Sequence, residues 1–134
     1  MNINTRGLIA FLVISVALTL LDIFVVETFY RPTEDWGNIW KYHCIYLSLI
    51  VILPIVVSIK LRSPMPMATW IFFITGIEDT LFYWLQGYLP EVYWGVYVLG
   101  VWEASLEFVL KANAIGVVCI MVYLAIVCKL KIEL

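Results

Sequence analysis

Long apolar runs broken by carboxylates dominate this chain. The stretch "FFITGIEDTLFYWLQGYLP", residues 72–90, shows the pattern most sharply. It is apolar and aromatic enough to lie inside a membrane, yet Glu78 and Asp79 sit side by side at its middle. An ionised carboxylate in hydrocarbon costs several kcal/mol unless it is paired, protonated or wet. Any fold for this sequence must bury the apolar runs and also accommodate those acids.

Composition narrows the fold class. The 134 residues are 64% hydrophobic and 13% charged, whereas a soluble domain is about half apolar and about a quarter charged. The chain therefore reads as a single all-α integral membrane domain, a four-transmembrane-helix bundle of spans of roughly 20 residues with short loops. The net charge of -2 and the absence of a basic run argue against a nucleic-acid partner. Cys44, Cys119 and Cys128 are odd in number, show no CxxC spacing and read as apolar packing residues. His43 beside Cys44 offers too few ligands for a metal. Neither a glycine-rich phosphate loop nor a GxSxG or HExxH motif is present, so no cofactor is expected.

The spans are expected at about 7–30, 40–59, 67–86 and 101–128. The first run is too long for a signal-peptide core, contains Asp22 and lacks a small-residue cleavage site. Pro32, Gly37 and Asn38 break the chain after it, and Tyr30, Trp36, Trp40 and Tyr42 fit an interfacial aromatic belt. Pro54 should kink the second span. Gly87 and Pro90 end the third. Beyond residue 90 the chain is too short for two full spans and a loop. One final span is preferred, with "LPEVYWGVYVLG" lying in the interface or re-entering the membrane. With the N-terminus inside, this count puts Arg6, Lys60, Arg62, Lys129 and Lys131 on the cytoplasmic side and Arg31 and Lys41 outside, the usual positive-inside bias. The expected location is thus the cell membrane, multi-pass, with both termini cytoplasmic.

Asp22, Glu78, Asp79, Glu103 and Glu107 fall within or beside these spans, together with Lys111. Glu103, Glu107 and Lys111 are spaced four apart and share a helix face, so Lys111 is expected to neutralise Glu107, or Asp22 across a helix contact. Glu78 and Asp79 point about 100° apart on a helix, so one is expected to face a cavity and the other an adjacent helix. Phe82, Tyr83, Trp84 and Trp102 would surround them with aromatic surface. Buried ion pairs that merely fix packing would explain single members of this set; the set as a whole points to a functional site.

Carboxyls in an apolar pocket offer acid–base chemistry. Burial and a neighbouring carboxylate both favour the neutral acid, which can then donate its proton at neutral pH. A donor among aromatic faces suits an alkene that becomes a carbocation, and the membrane would supply an isoprenoid or other lipid substrate. The string "TGIEDTLFYW" resembles the hallmark of the small integral-membrane lycopene cyclases, in which a proline and an apolar residue precede two acids and an apolar, aromatic tail. Gly76 stands in the proline position, followed by Ile77, Glu78, Asp79, Thr80, Leu81, Phe82 and Tyr83. The resemblance covers about ten residues and implies a catalytic role for Glu78 and Asp79. It also implies an isomerase acting on an isoprenoid, in a family whose domains often work in pairs.

Two other readings use the same residues. A small proton- or cation-coupled transporter would place the carboxyls on a polar path, as an oligomer, because four spans make a thin-walled bundle. A non-catalytic subunit of a larger membrane complex would use them for packing against a partner. A cavity open sideways to the bilayer favours lipid chemistry, and a path to both faces favours transport.

Overall fold

A computed structural model describes residues 3–30, 36–97 and 100–130, with side chains described for 5–29, 41–93 and 104–130. Helix α1, Ile3–Val25, continues as a single π turn, Val26–Tyr30. Then come α2, Trp36–Leu61, a 3₁₀ turn at Met65–Met67, α3, Ala68–Ile74, and α4, Ile77–Leu85. A hairpin of β1, Val92–Tyr97, and β2, Gly100–Ser105, leads into α5, Leu106–Leu130. The fold is mainly helical, and three segments are long and apolar enough to cross a membrane: Thr5–Phe29, Lys41–Leu61 and Leu106–Leu130. The expected side-chain placements of Trp102 and Glu103, and of Arg31 and Lys131, lie outside the described residues.

Backbone chemistry sets the ends. At the end of α2, Arg62 adopts φ 52°, and the Arg62 and Ser63 amides donate to Ile59 and Ser58 carbonyls at 3.2 and 3.0 Å. These bonds satisfy carbonyls that would otherwise be orphaned at the helix end. Gly87, φ 87°, closes α4 in the same way, with Tyr88 N bonding Tyr83 O at 3.3 Å. Inside α2, Pro54 has no amide to donate to Ile50 O. The indole Nε1 of Trp70 donates to that carbonyl instead, at 3.1 Å.

The run 67–86 is not one helix. Gly76 takes φ 72°, left-handed backbone that a side chain disfavours, and splits it into α3 and α4. The Thr75 hydroxyl donates to Ile71 O at 2.7 Å on one side of the break, and Thr80 N bonds Gly76 O at 3.2 Å on the other. The last helix begins at Leu106, later than the expected start at Val101. Ser105 caps it, its Oγ accepting from Phe108 N at 3.3 Å, and Glu107 lies in its first turn, where the helix dipole favours an acid. The stretch expected in the interface or re-entrant holds β1, which pairs with β2 in antiparallel register from Val92↔Ser105 to Tyr97↔Gly100.

Contacts fix how the helices run. The Gly7 Cα faces Ser63 and Met65, while Phe11 packs with Ala68 and Phe72, and the Ser15 hydroxyl reaches Thr69 at 3.4 Å. The α3–α4 pair therefore runs alongside α1 in the same direction. Helix α2 runs opposite to α1, with Tyr46 and Ile50 against Ile14 and Leu18. Helix α5 also runs back: Asn113 meets Thr80, Gly116 meets Thr75, and the Tyr123 hydroxyl donates to Pro64 O at 2.8 Å. At Gly116 a Cβ would stand 2.7 Å from Thr75 Cβ and 3.0 Å from Ile77 Cδ1, so α5 crosses the helix break at glycine distance.

Candidate functional site

The break at Gly76 decides where the acids sit. It starts α4 at Ile77, so Glu78 and Asp79 both occupy its first turn. An acid in that turn meets the positive end of the helix dipole and its unpaired amides. Glu78 turns inward and is 6% exposed, against α1 and α2. Asp79 is half-buried and points elsewhere. The divergence expected for neighbours on a helix thus assigns the two acids to different surroundings.

Glu78 meets a tyrosine. The Tyr46 hydroxyl, on a side chain 5% exposed, lies 3.2 Å from Glu78 Oε1 and 3.1 Å from Leu18 O. A phenol has one proton and cannot donate to both acceptors at once. A neutral carboxyl would resolve the conflict, with Glu78 donating to Tyr46 and Tyr46 donating to Leu18 O. One turn earlier on α2, the Tyr42 hydroxyl donates to Asp22 Oδ1 at 2.8 Å, and the Tyr42 and Tyr46 rings stack at 5.5 Å. His43 packs edge-on against Tyr42 at 5.5 Å. The charged groups acting on Glu78 itself, Asp79 and Asp22, are both acidic.

The aromatic residues after the acids are divided. Phe82 is buried one turn beyond Glu78, on the same face. The Tyr83 ring packs edge-on against Phe82 at 5.1 Å and Tyr93 at 5.2 Å, toward the hairpin. Trp84 is 63% exposed and faces out of the bundle. Lys111 pairs with Glu107, as their spacing implies, and both side chains are exposed, at 72% and 77%. The backbone of Trp102 and Glu103 belongs to β2, in register with Gly95 and Trp94.

On the other side of α4, the Thr80 hydroxyl donates to Gly76 O at 3.3 Å and accepts from Asn113 Nδ2. Tyr93 reaches the same place from the hairpin and is fully buried. Burial pushes its phenol above the ordinary range, and the charge of Asp79 adds to that against the Thr80 hydroxyl, so Tyr93 keeps its proton. Sequence reasoning gave no role to Tyr46, Asn113 or Tyr93 and assigned Tyr42 to the aromatic belt. The four-residue spacing of Tyr42 and Tyr46 was a readable sign that both hydroxyls share one helix face. Comparison with protein-family models, with curated proteins and with solved structures finds no match to this chain.

Proposed function

We propose that the chain is a multi-pass membrane protein whose working group is the Glu78 carboxyl, a proton donor to an isoprenoid or other lipid alkene. The observation that carries this reading is the buried Glu78–Tyr46–Leu18 hydrogen-bond chain, whose single phenol proton is best used when Glu78 is the neutral acid. A neutral acid in an apolar, aromatic surrounding is the group that alkene protonation needs. Glu78 would transfer its proton to one alkene carbon, leaving a carbocation beside Phe82. Loss of a proton from a neighbouring carbon would return it to the carboxylate, so the reaction is an isomerisation with no net change in atoms. Asp79 holds the negative charge beside it. The resemblance of "TGIEDTLFYW" to the lycopene cyclases agrees with this chemistry.

In this reading α3 and α4 together make the fourth crossing, because Met65 to Leu85 at about 1.5 Å per residue covers roughly 30 Å. Arg6, Lys60, Arg62 and Lys129 then gather at one end of the bundle, which becomes the cytoplasmic face with both termini. The thin bundle would associate with a second copy or a partner membrane subunit.

Proton-coupled transport is the second reading. It is favoured by Asp22, Tyr42 and His43, which extend the polar groups from Glu78 toward the start of α2. Lipid extraction and mass spectrometry of a host with and without the gene separate the two. The expected result is a lipid of the same mass as its precursor but different retention, lost in Glu78→Gln. An unchanged lipid profile, with proton uptake by reconstituted vesicles that Glu78→Gln abolishes, would establish transport instead.

A further inference from the structure

Two buried polar atoms on the far side of α4 have no partner among the described residues: Tyr93 Oη and Asn113 Oδ1. An unpaired polar group in an apolar interior costs about 1–3 kcal/mol, so native proteins almost always supply a partner. The two atoms are neighbours through Thr80. Asn113 lies one turn beyond Val109, which packs against the Tyr93 ring, and its amide bonds the Thr80 hydroxyl. The Thr80 side chain also acts on the Tyr93 hydroxyl, without a hydrogen bond of proper geometry.

Proton counting says which single group would satisfy both atoms. The Thr80 hydroxyl proton goes to Gly76 O, so Thr80 Oγ1 is an acceptor and the Asn113 group facing it must be the NH₂. Asn113 Oδ1 is therefore a true acceptor in need of a donor. Tyr93 retains a proton in need of an acceptor. A carbonyl can accept but cannot donate, and a cation or ammonium can serve the acceptor but leaves the phenol proton unpaired. A hydroxyl does both.

We propose that Thr80, Tyr93 and Asn113, between α4, β1 and α5, form a binding site for one hydroxyl group, belonging either to a resident water or to the alcohol end of a lipid. The site uses residues that the Glu78 chain does not, so it stands whether or not Glu78 is catalytic. Its position beneath the hairpin and against the lipid-length helix α5 is where an alcohol head would rest with its tail along the helix.

The test uses the full chain in phospholipid nanodiscs, labelled with 3-fluorotyrosine, the Tyr93 fluorine signal being assigned by its loss in Tyr93→Phe. The probes are geranylgeraniol and its hydrocarbon analogue without the hydroxyl. A saturable shift of the Tyr93 signal with the alcohol alone, abolished in Asn113→Leu, supports the lipid alcohol. No response to either probe, but an H₂O/D₂O isotope shift of the Tyr93 signal that Asn113→Leu removes, supports the bound water. Should the leucine variant not fold, Asn113→Ala is read in its place. A Tyr93 signal that ignores the alcohol and keeps its position and isotope shift in the Asn113 variant overturns the proposal.

Discussion

The protonation state of Glu78 can be read from stability alone. Tyr46→Phe removes one hydroxyl while keeping the ring that stacks on Tyr42 and packs with Phe73. It leaves Leu18 O without its side-chain donor and takes the Tyr46 hydroxyl away from Glu78. One lost hydrogen bond contributes about 1 kcal/mol and one orphaned buried group about 1–3 kcal/mol, so the expected loss is about 2–4 kcal/mol. Glu78→Gln should change stability by less than about 1 kcal/mol, because the amide Nε2 can donate to Tyr46 as the acid does. If Glu78 is the neutral acid, the Tyr46→Phe penalty is the same in the glutamate and glutamine backgrounds, and the double-mutant cycle closes to within about 0.5 kcal/mol. If Glu78 is ionised, Tyr46→Phe strips a buried charge of its donor, a loss of about 3–5 kcal/mol that the glutamine background escapes. The assay is equilibrium unfolding in mixed micelles at pH 7. A coupling energy above about 1 kcal/mol would refute the neutral acid and, with it, the proposed proton donor.

Trp70→Phe should destabilise by about 1–3 kcal/mol by orphaning Ile50 O, and Pro54→Ala should recover most of this because it restores the amide that the carbonyl lacks; the same micelle titration compares the two backgrounds. Gly116→Val should be among the most damaging single changes, at about 3 kcal/mol, since its first side-chain carbon already collides with Thr75; a near-native unfolding midpoint would show that α5 does not cross the break so closely. Lys111→Met should alter stability by no more than about 1 kcal/mol, because the ion pair with Glu107 is exposed and local to one helix; a larger loss would mean that Lys111 serves the acids of the interior.

Much of the fold was legible because breakers and apolar runs act locally. Residues 7–30 and 40–59 announced α1 and α2, and Gly87 announced the end of α4. The Gly76 break was not, because glycine in an apolar run is ordinarily tolerated at about 1 kcal/mol against alanine. What makes it a break is tertiary: α5 comes within glycine distance of Thr75 at that level, and the chain there takes a positive φ. The strands of the hairpin were not read from the sequence for a different reason. "VYWGVYVLGVWEAS" is rich in valine and aromatic residues, which favour strands, but an apolar composition invites a membrane helix first. Ser105 was the available sign of the true helix start, as a capping residue just ahead of an acid and an apolar run.

The site was legible in its charges and not in its partners. Adjacent acids in an apolar run mark a place where desolvation must be answered, and sequence alone says that helical neighbours diverge by about 100°. It does not say which residue turns inward. That choice depends on where the helix begins, and Gly76 fixes the start of α4 so that Glu78 meets Tyr46 and Phe82 follows it one turn later. Asp79 and Thr80 then face the α5 and hairpin side, where Asn113 and Tyr93 stand. A one-residue shift of that helix start would rotate α4 by about 100° and send Asp79 toward Tyr46 instead. Deleting Ile77 performs that rotation, because Asp79 then fills the second position of α4. It should transfer the Tyr46 partnership to the second acid, so that lipid turnover becomes sensitive to Asp79→Asn and insensitive to Glu78→Gln. Turnover that still depends on Glu78 in the deletion variant would mean that the glycine break does not set the orientation of the acids.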